Sequence, residues 1–150
     1  MKKLLLSALF LTPLLFADTD LATKAKIKDM IDQEAKDLPI RISNDGNMLL
    51  AGMQYDIESN ILRLTAVLNS KYFAPKEGDL AKLKKIVIEQ IAPTQQQQIC
   101  DDFAMTAMLV SDTLIKYEYM LDNMQEPFYT LNITKKSCGY TGEFQILEGN

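Results

Sequence analysis

The chain has no histidine and no tryptophan among its 150 residues, and only two cysteines. Without histidine there is no Ser-His-Asp or Cys-His catalysis, and the usual zinc and haem ligand sets cannot be assembled. Without tryptophan the common aromatic platform for sugars is weakened. No Gly-x-Gly-x-x-Gly and no Gly-Lys-Ser or Gly-Lys-Thr occurs, so the familiar phosphate-cradling loops are missing as well. Positive charge is scarce: 16 Lys and Arg stand against 20 Asp and Glu, a net charge of −4. An acidic chain without a basic stripe lacks the phosphate contacts on which nucleic-acid binding depends, and it is ill-suited to an anionic membrane surface. The reading is therefore a protein that is not an enzyme and carries no cofactor, no metal and no nucleic acid.

What is present begins at the N-terminus. Met1-Lys2-Lys3 is basic, and Leu4 to Phe16 is apolar apart from Ser7, Thr12 and Pro13. Ala17 then precedes Asp18, Thr19 and Asp20. That order reads as a secretory signal peptide over residues 1–17, cleaved after Ala17. The apolar run falls short of the roughly 20 residues that span a bilayer, so no membrane span is expected after cleavage. A retained anchor is the alternative. Loss of Lys2 and Lys3 would take the net charge from −4 to −6. The expected location is periplasmic or secreted.

In an oxidising compartment the isolated pair Cys100 and Cys138 most simply forms one disulfide. Two free thiols are the alternative, without the Cys-x-x-Cys spacing of a redox pair.

Residues 18–37 read as an N-terminal helix, from Thr19 to Lys36, with a thin apolar side of Leu21, Ala25 and Ile31. It stops before Pro39, because the residue preceding a proline disfavours the helical region. Residues 38–150 read as a single domain. Extended runs are expected over Leu38 to Ser43, Met48 to Tyr55 and Ile61 to Leu68. Turns at Asn44 to Asn47 and Asp56 to Asn60 separate them. A connector from Asn69 to Glu77 leads to a helix over Leu80 to Ala92, with Leu80, Leu83, Val87 and Ile91 inward and Pro93 as its end. Gln95 to Gln98 read as a short polar run linking into a second helix over Cys100 to Val110, which starts around Thr94 to Gln98 and has Phe103, Ala107 and Val110 on one face. Thr113 to Leu121 alternates cleanly, and Phe128 to Thr134 is its returning strand. The tail from Gly139 holds Phe144, Ile146 and Leu147, which suits packing. The expected class is α+β: an antiparallel sheet of two hairpins, with helices packed on one face.

The stretch Cys100, Met108-Leu109, Tyr117-Glu118-Tyr119, Asp122, Leu131 to Thr134 and Cys138 resembles a family of small exported bacterial proteins of uncharacterised function. Its pattern is a cysteine, a helix ending in aliphatics, Tyr-x-Tyr on a strand, a returning strand and a final cysteine. Leu38-Pro39 and the strand from Ser59 to Val67 fit the same layout. Asp112 stands where the pattern has glycine, and Leu64 and Ala66 where it often has a second Tyr-x-Tyr. The resemblance implies the disulfide and the order of elements, and it brings no activity.

Four groups remain as candidates. Asp101 and Asp102 could form a paired acid site, though neighbours on a helix point about 100° apart and helix N-terminal charge explains them. Asn44-Asp45-Gly46-Asn47 is oxygen-rich but lacks the later glutamate of a calcium loop. Met105, Met108, Met120 and Met124 could attract copper(I), yet adaptable core filling explains them too. Tyr117, Tyr119 and Tyr129 form a possible binding face, or else cross-strand packing within a core. The functional expectation is a periplasmic protein that binds another protein or a cell-envelope component. An immunity or inhibitor protein against an envelope-targeted toxin or hydrolase is the alternative.

Overall fold

Alternation of apolar residues along the strands builds the sheet. In the computed structural model, residues 21–73 and 79–140 are described. The signal peptide assigned to residues 1–17 and the apolar tail residues Phe144, Ile146 and Leu147 lie outside them. The strands are β1 (Ile40–Arg41), β2 (Met48–Asp56), β3 (Ile61–Leu68), β4 (Leu114–Leu121) and β5 (Tyr129–Ile133), side by side in that order. The fold is α+β. Each expected hairpin is antiparallel, β2 with β3 and β4 with β5.

The junction between the hairpins departs from the expectation, because β3 and β4 run parallel. A parallel pair needs a crossover rather than a tight turn, and the connection that carries the helices between β3 and β4 supplies it. Both ends of the pair are pinned. At the start, the Asn60 side chain accepts from Tyr55 Oη (2.7 Å) and Thr113 Oγ1 (2.9 Å) and donates to the Ser111 carbonyl (3.1 Å). At the far end, the Asp122 carboxylate accepts from the Ser70 amide at 3.1 Å.

The strand register stacks apolar side chains in rows on one face. One row is Leu50, Ala66, Tyr119 and Tyr129; the next is Met53, Leu64, Tyr117 and Leu131. A third is Tyr55, Leu62, Ile115 and Ile133. Leu62, Ala66, Ile115, Tyr119 and Ile133 are fully buried. The other face carries Arg63, Thr65, Lys116 and Glu118, with an Arg63–Glu118 ion pair at 2.9 Å. A bulge between Leu50 and Gly52 shifts the β2 register.

The helices close the buried face. Helix α1 (Leu21–Glu34) lies against β2 and buries only Ile31, as its thin apolar side predicts. A 3₁₀ turn over Ala35–Asp37 ends it, and Leu38 turns extended before a cis peptide bond to Pro39. Helix α2 (Ser70–Phe73) is a single turn within the expected connector.

Pro93 does not end the next helix. Helix α3 (Leu80–Ile86) runs through a π turn (Val87–Ile91) into helix α4 (Ala92–Asp101). A mid-helix proline collides with the carbonyl four residues back. The wider π turn moves that carbonyl aside, and Pro93 sits in the first turn of α4, where its missing N–H is harmless. The Gln90 carbonyl, close to the proline, accepts from Thr94 Oγ1 at 3.3 Å. The extra residue also shifts the helix phase. Leu83, Val87, Ala92, Gln95 and Ile99 are buried, whereas Leu80 is exposed and Ile91 only half-buried. The glutamines, expected at a link and helix start, are helical throughout, and Gln95 is inside.

Helix α5 (Phe103–Val110) starts afresh after a break at Asp102, whose carboxylate accepts from the Met105 amide at 2.9 Å. The break turns the helix so that Ala104, Met105, Met108 and Leu109 are buried. Phe103, expected to share one face with Ala107 and Val110, is 66% exposed, whereas those two are half-buried.

Cys100 and Cys138 form the disulfide, with their Cα atoms 5.5 Å apart. It joins the last turn of α4, rather than the start of a helix, to the loop after β5. Around it, Gln96 Nε2 donates to the Ser137 carbonyl at 3.0 Å. The Cys100 carbonyl accepts from Thr106 Oγ1 (3.1 Å) and from the Tyr140 hydroxyl.

Candidate interaction surface

The three tyrosines come together, but mostly inside. Tyr117, Tyr119 and Tyr129 share the buried face of β4 and β5 because they hold same-parity positions on paired strands. The ring centres of Tyr117 and Tyr119 are 5.1 Å apart, and those of Tyr119 and Tyr129 are 5.8 Å apart. Tyr117 and Tyr119 are buried, and only Tyr129, on the outermost strand, is partly exposed. Two of the three rings thus offer no surface. The Tyr117 hydroxyl donates to Gln95 Oε1 at 3.0 Å, a buried pair whose glutamine the sequence had placed in a link. Tyr119 Oη is buried without a hydrogen-bond partner among the described residues. Burial pushes both hydroxyls above the ordinary tyrosine range, aided at Tyr119 by the neighbouring Tyr117 and Tyr129.

The other candidates separate. The Asp101 carboxylate accepts from Gln97 Nε2 at 2.9 Å, while Asp102 caps α5, so the two do not converge on one reacting bond. Asp45 accepts from Ser43 Oγ (2.6 Å) and the Asn47 amide (3.0 Å), which is turn chemistry. Hydrogen bonding from Ser43 first, then from the side chain and backbone of Asn47, draws its carboxyl down to about 2. Met105 and Met108 are buried in α5 and Met124 packs against the core, whereas Met120 lies on the opposite face of β4, so the four do not all share one site. Among the described residues, no group of three or more His, Cys, Asp or Glu side chains is placed to hold a metal ion. No helix there is long and apolar enough to cross a membrane.

What the sequence did not show is the condition of the outer strand. Leu114 N–H donates to the Asn60 carbonyl and Asp122 N–H to the Leu68 carbonyl. These bonds fix the even-numbered residues of β4 as facing β3, so its odd-numbered residues face β5. Their partners Tyr129, Leu131 and Ile133 direct their backbone groups inward. Thr130 and Asn132 direct theirs out, and neither bonds to a described residue. Just past the end of this strand is a hollow of about 220 Å³, lined by Leu109, Leu114, Thr134 and Lys136 among others.

No family model matches the chain, and no curated protein does. Two solved structures share its architecture. One is the pilotin EpsS of the Vibrio vulnificus type 2 secretion system. It is 13% identical with a TM-score of 0.58, over 77% of this chain and 90% of that one. The fold is similar to that of a pilotin. The other is a protein described as secreted, from Pseudomonas aeruginosa. It is also 13% identical, with a TM-score of 0.55, over 77% of this chain and 95% of that one. At this identity the likeness speaks for the fold.

Proposed function

We propose that the protein is exported, carries residues 1–17 as its signal peptide, and acts in the periplasm as a non-enzymatic binder of another protein of the cell envelope. The observation that carries this reading is the fold shared with a type 2 secretion pilotin and with a secreted protein, each over most of its length. The Cys100–Cys138 disulfide supports it, because such a bond persists where thiols oxidise. The similarity of the Cys100 to Cys138 stretch to small exported bacterial proteins points the same way. By analogy with the pilotin, a component of an envelope secretion assembly is the first partner to try.

The test is purification from the periplasmic fraction under non-reducing conditions, with chemical cross-linking before lysis. The expected result is a chain beginning at Asp18 that brings down a defined envelope protein in constant ratio. A full-length chain in the cytosol with free thiols contradicts the reading, as does a purified protein with a measurable turnover activity and no partner.

A further inference from the structure

We propose that β5 is the docking edge, and that its occupant is an extended segment of a protein partner that carries a carboxylate at the end lying over Lys135 and Lys136. The inference rests on the protein-binding reading and adds the surface and the chemistry. Three features of one edge carry it.

The first is the backbone. The N–H and C=O groups of Thr130 and Asn132 point off the sheet and have no partner among the described residues. An added strand satisfies them with main-chain bonds whatever its sequence. The second is the side-chain pattern. Tyr129 and Leu131 are half-buried at the rim of the core, while Thr130 and Asn132 lie on the open face. A strand laid beside them continues both faces if it alternates apolar and polar residues. The third is charge. Lys116 sits opposite Asn132, and Lys135 and Lys136 follow the strand. Lys135 is bound to Asp112 at 2.6 Å, but Lys116 and Lys136 have no ion pair among the described residues. Asp112 also lines the adjoining hollow, where Lys135 offsets it, so the charge left over is that of Lys116 and Lys136, which favours a carboxylate with its side chain beside the hollow.

The disulfide-bonded protein would be titrated with short synthetic peptides that alternate valine and threonine and carry aspartate, asparagine or lysine pairs at either end. Binding is read by fluorescence anisotropy, and the Thr130 and Asn132 amides by hydrogen exchange. The aspartate peptides should bind best, about threefold to fivefold tighter than the asparagine ones, the range of an exposed ion pair, and less so in high salt. Thr130 and Asn132 should become protected. Lys136→Glu, an exposed change, should reverse the preference. Thr130→Pro removes a donor that the fold does not use and should abolish binding.

Equal binding of all peptides overturns the proposal, as does protection elsewhere on the protein. So does protection of the same amides at rising protein concentration without peptide, which assigns the edge to a second copy. If a cross-linked envelope partner is retained undiminished by Thr130→Pro, the protein-binding reading stands and the edge assignment falls.

Discussion

The two edges of the sheet are finished differently. On the first, the chain returns on itself. β1 pairs with β2 at Leu49 and Leu50, the Ile42 amide bonds to the Met48 carbonyl at 3.1 Å, and α1 lies against the same strand. Further along β2, the backbones of Met53 and Tyr55 also face away from β3, but they follow a bulge, and bulges spoil the flat template that a new strand needs. On the second edge nothing described covers β5. Among the described residues, protection there is limited to a short strand, Pro127 before it and lysines after it. Instead of a covering element, this side has a covalent staple to α4. One edge is closed by packing. The other is stapled by a disulfide, with no described element over it.

The largest expected effect breaks the staple. With 38 residues of separation, the cross-link stabilises by about 4 kcal/mol on chain-entropy grounds. Cys100→Ser with Cys138→Ser should lower stability by about that much in denaturant titration. Amide exchange should quicken first in β5, while β2 keeps its protection. Loss of protection at β1 and β2 first would reverse the contrast between the edges.

Next comes the packed edge. Ile31 is 2% exposed and is the one buried side chain of α1. Ile31→Ala should cost about 2–5 kcal/mol and free α1, readable as proteolytic nicking N-terminal to Pro39 with the disulfide intact. A change under about 0.5 kcal/mol would mean that α1 does not close this edge.

A smaller effect separates the two inner tyrosines. Tyr117→Phe leaves Gln95 Oε1 without its buried donor and should cost about 1–3 kcal/mol. Tyr119→Phe removes a hydroxyl that has no partner among the described residues and should be neutral or stabilising. Both hydroxyls resist ionisation while folded, so their contribution is complete below the ordinary tyrosine value of 10.0 and declines as pH rises beyond it. Absorbance of tyrosinate should therefore show two rings that ionise only as the protein unfolds.

The smallest effect lies at the β1–β2 turn. Asp45 has its carboxyl lowered from 3.8 to about 2, so its contribution is present above 3.8 and fades as pH falls toward 2. Asp45→Asn should flatten that part of an acid unfolding curve. An unchanged curve would remove Asp45 from the account of this turn.

Much of the sheet was legible because alternation is a local signal. Leu62, Leu64, Ala66 and Leu68, and likewise Ile115, Tyr117, Tyr119 and Leu121, announce both the strands and their buried side. The two cysteines were legible as a pair for a chemical reason rather than a geometric one. Harder to read was anything set between distant segments. The parallel pairing of β3 with β4 depends on how a long helical crossover returns the chain, and Asn60 shows its role only when Thr113 and Ser111 are beside it. Pro93 and Phe103 misled for a related reason. Proline is a local stop, but a π turn absorbs it, and the cap at Asp102 resets the phase of α5 so that Phe103 faces out. The open edge was invisible to pattern reading, since alternation along β5 says which side chains face the core but not that the strand is outermost or which of its backbone groups find a neighbour.

That alternation along β5 is where the account is most exposed to measurement. Residue-resolved amide exchange of the disulfide-bonded protein, without any partner, should find Leu131 and Ile133 slow and Thr130 and Asn132 fast. If Thr130 and Asn132 exchange as slowly as Leu131 in dilute monomer, the edge is already covered, and the surface assigned to the partner does not exist.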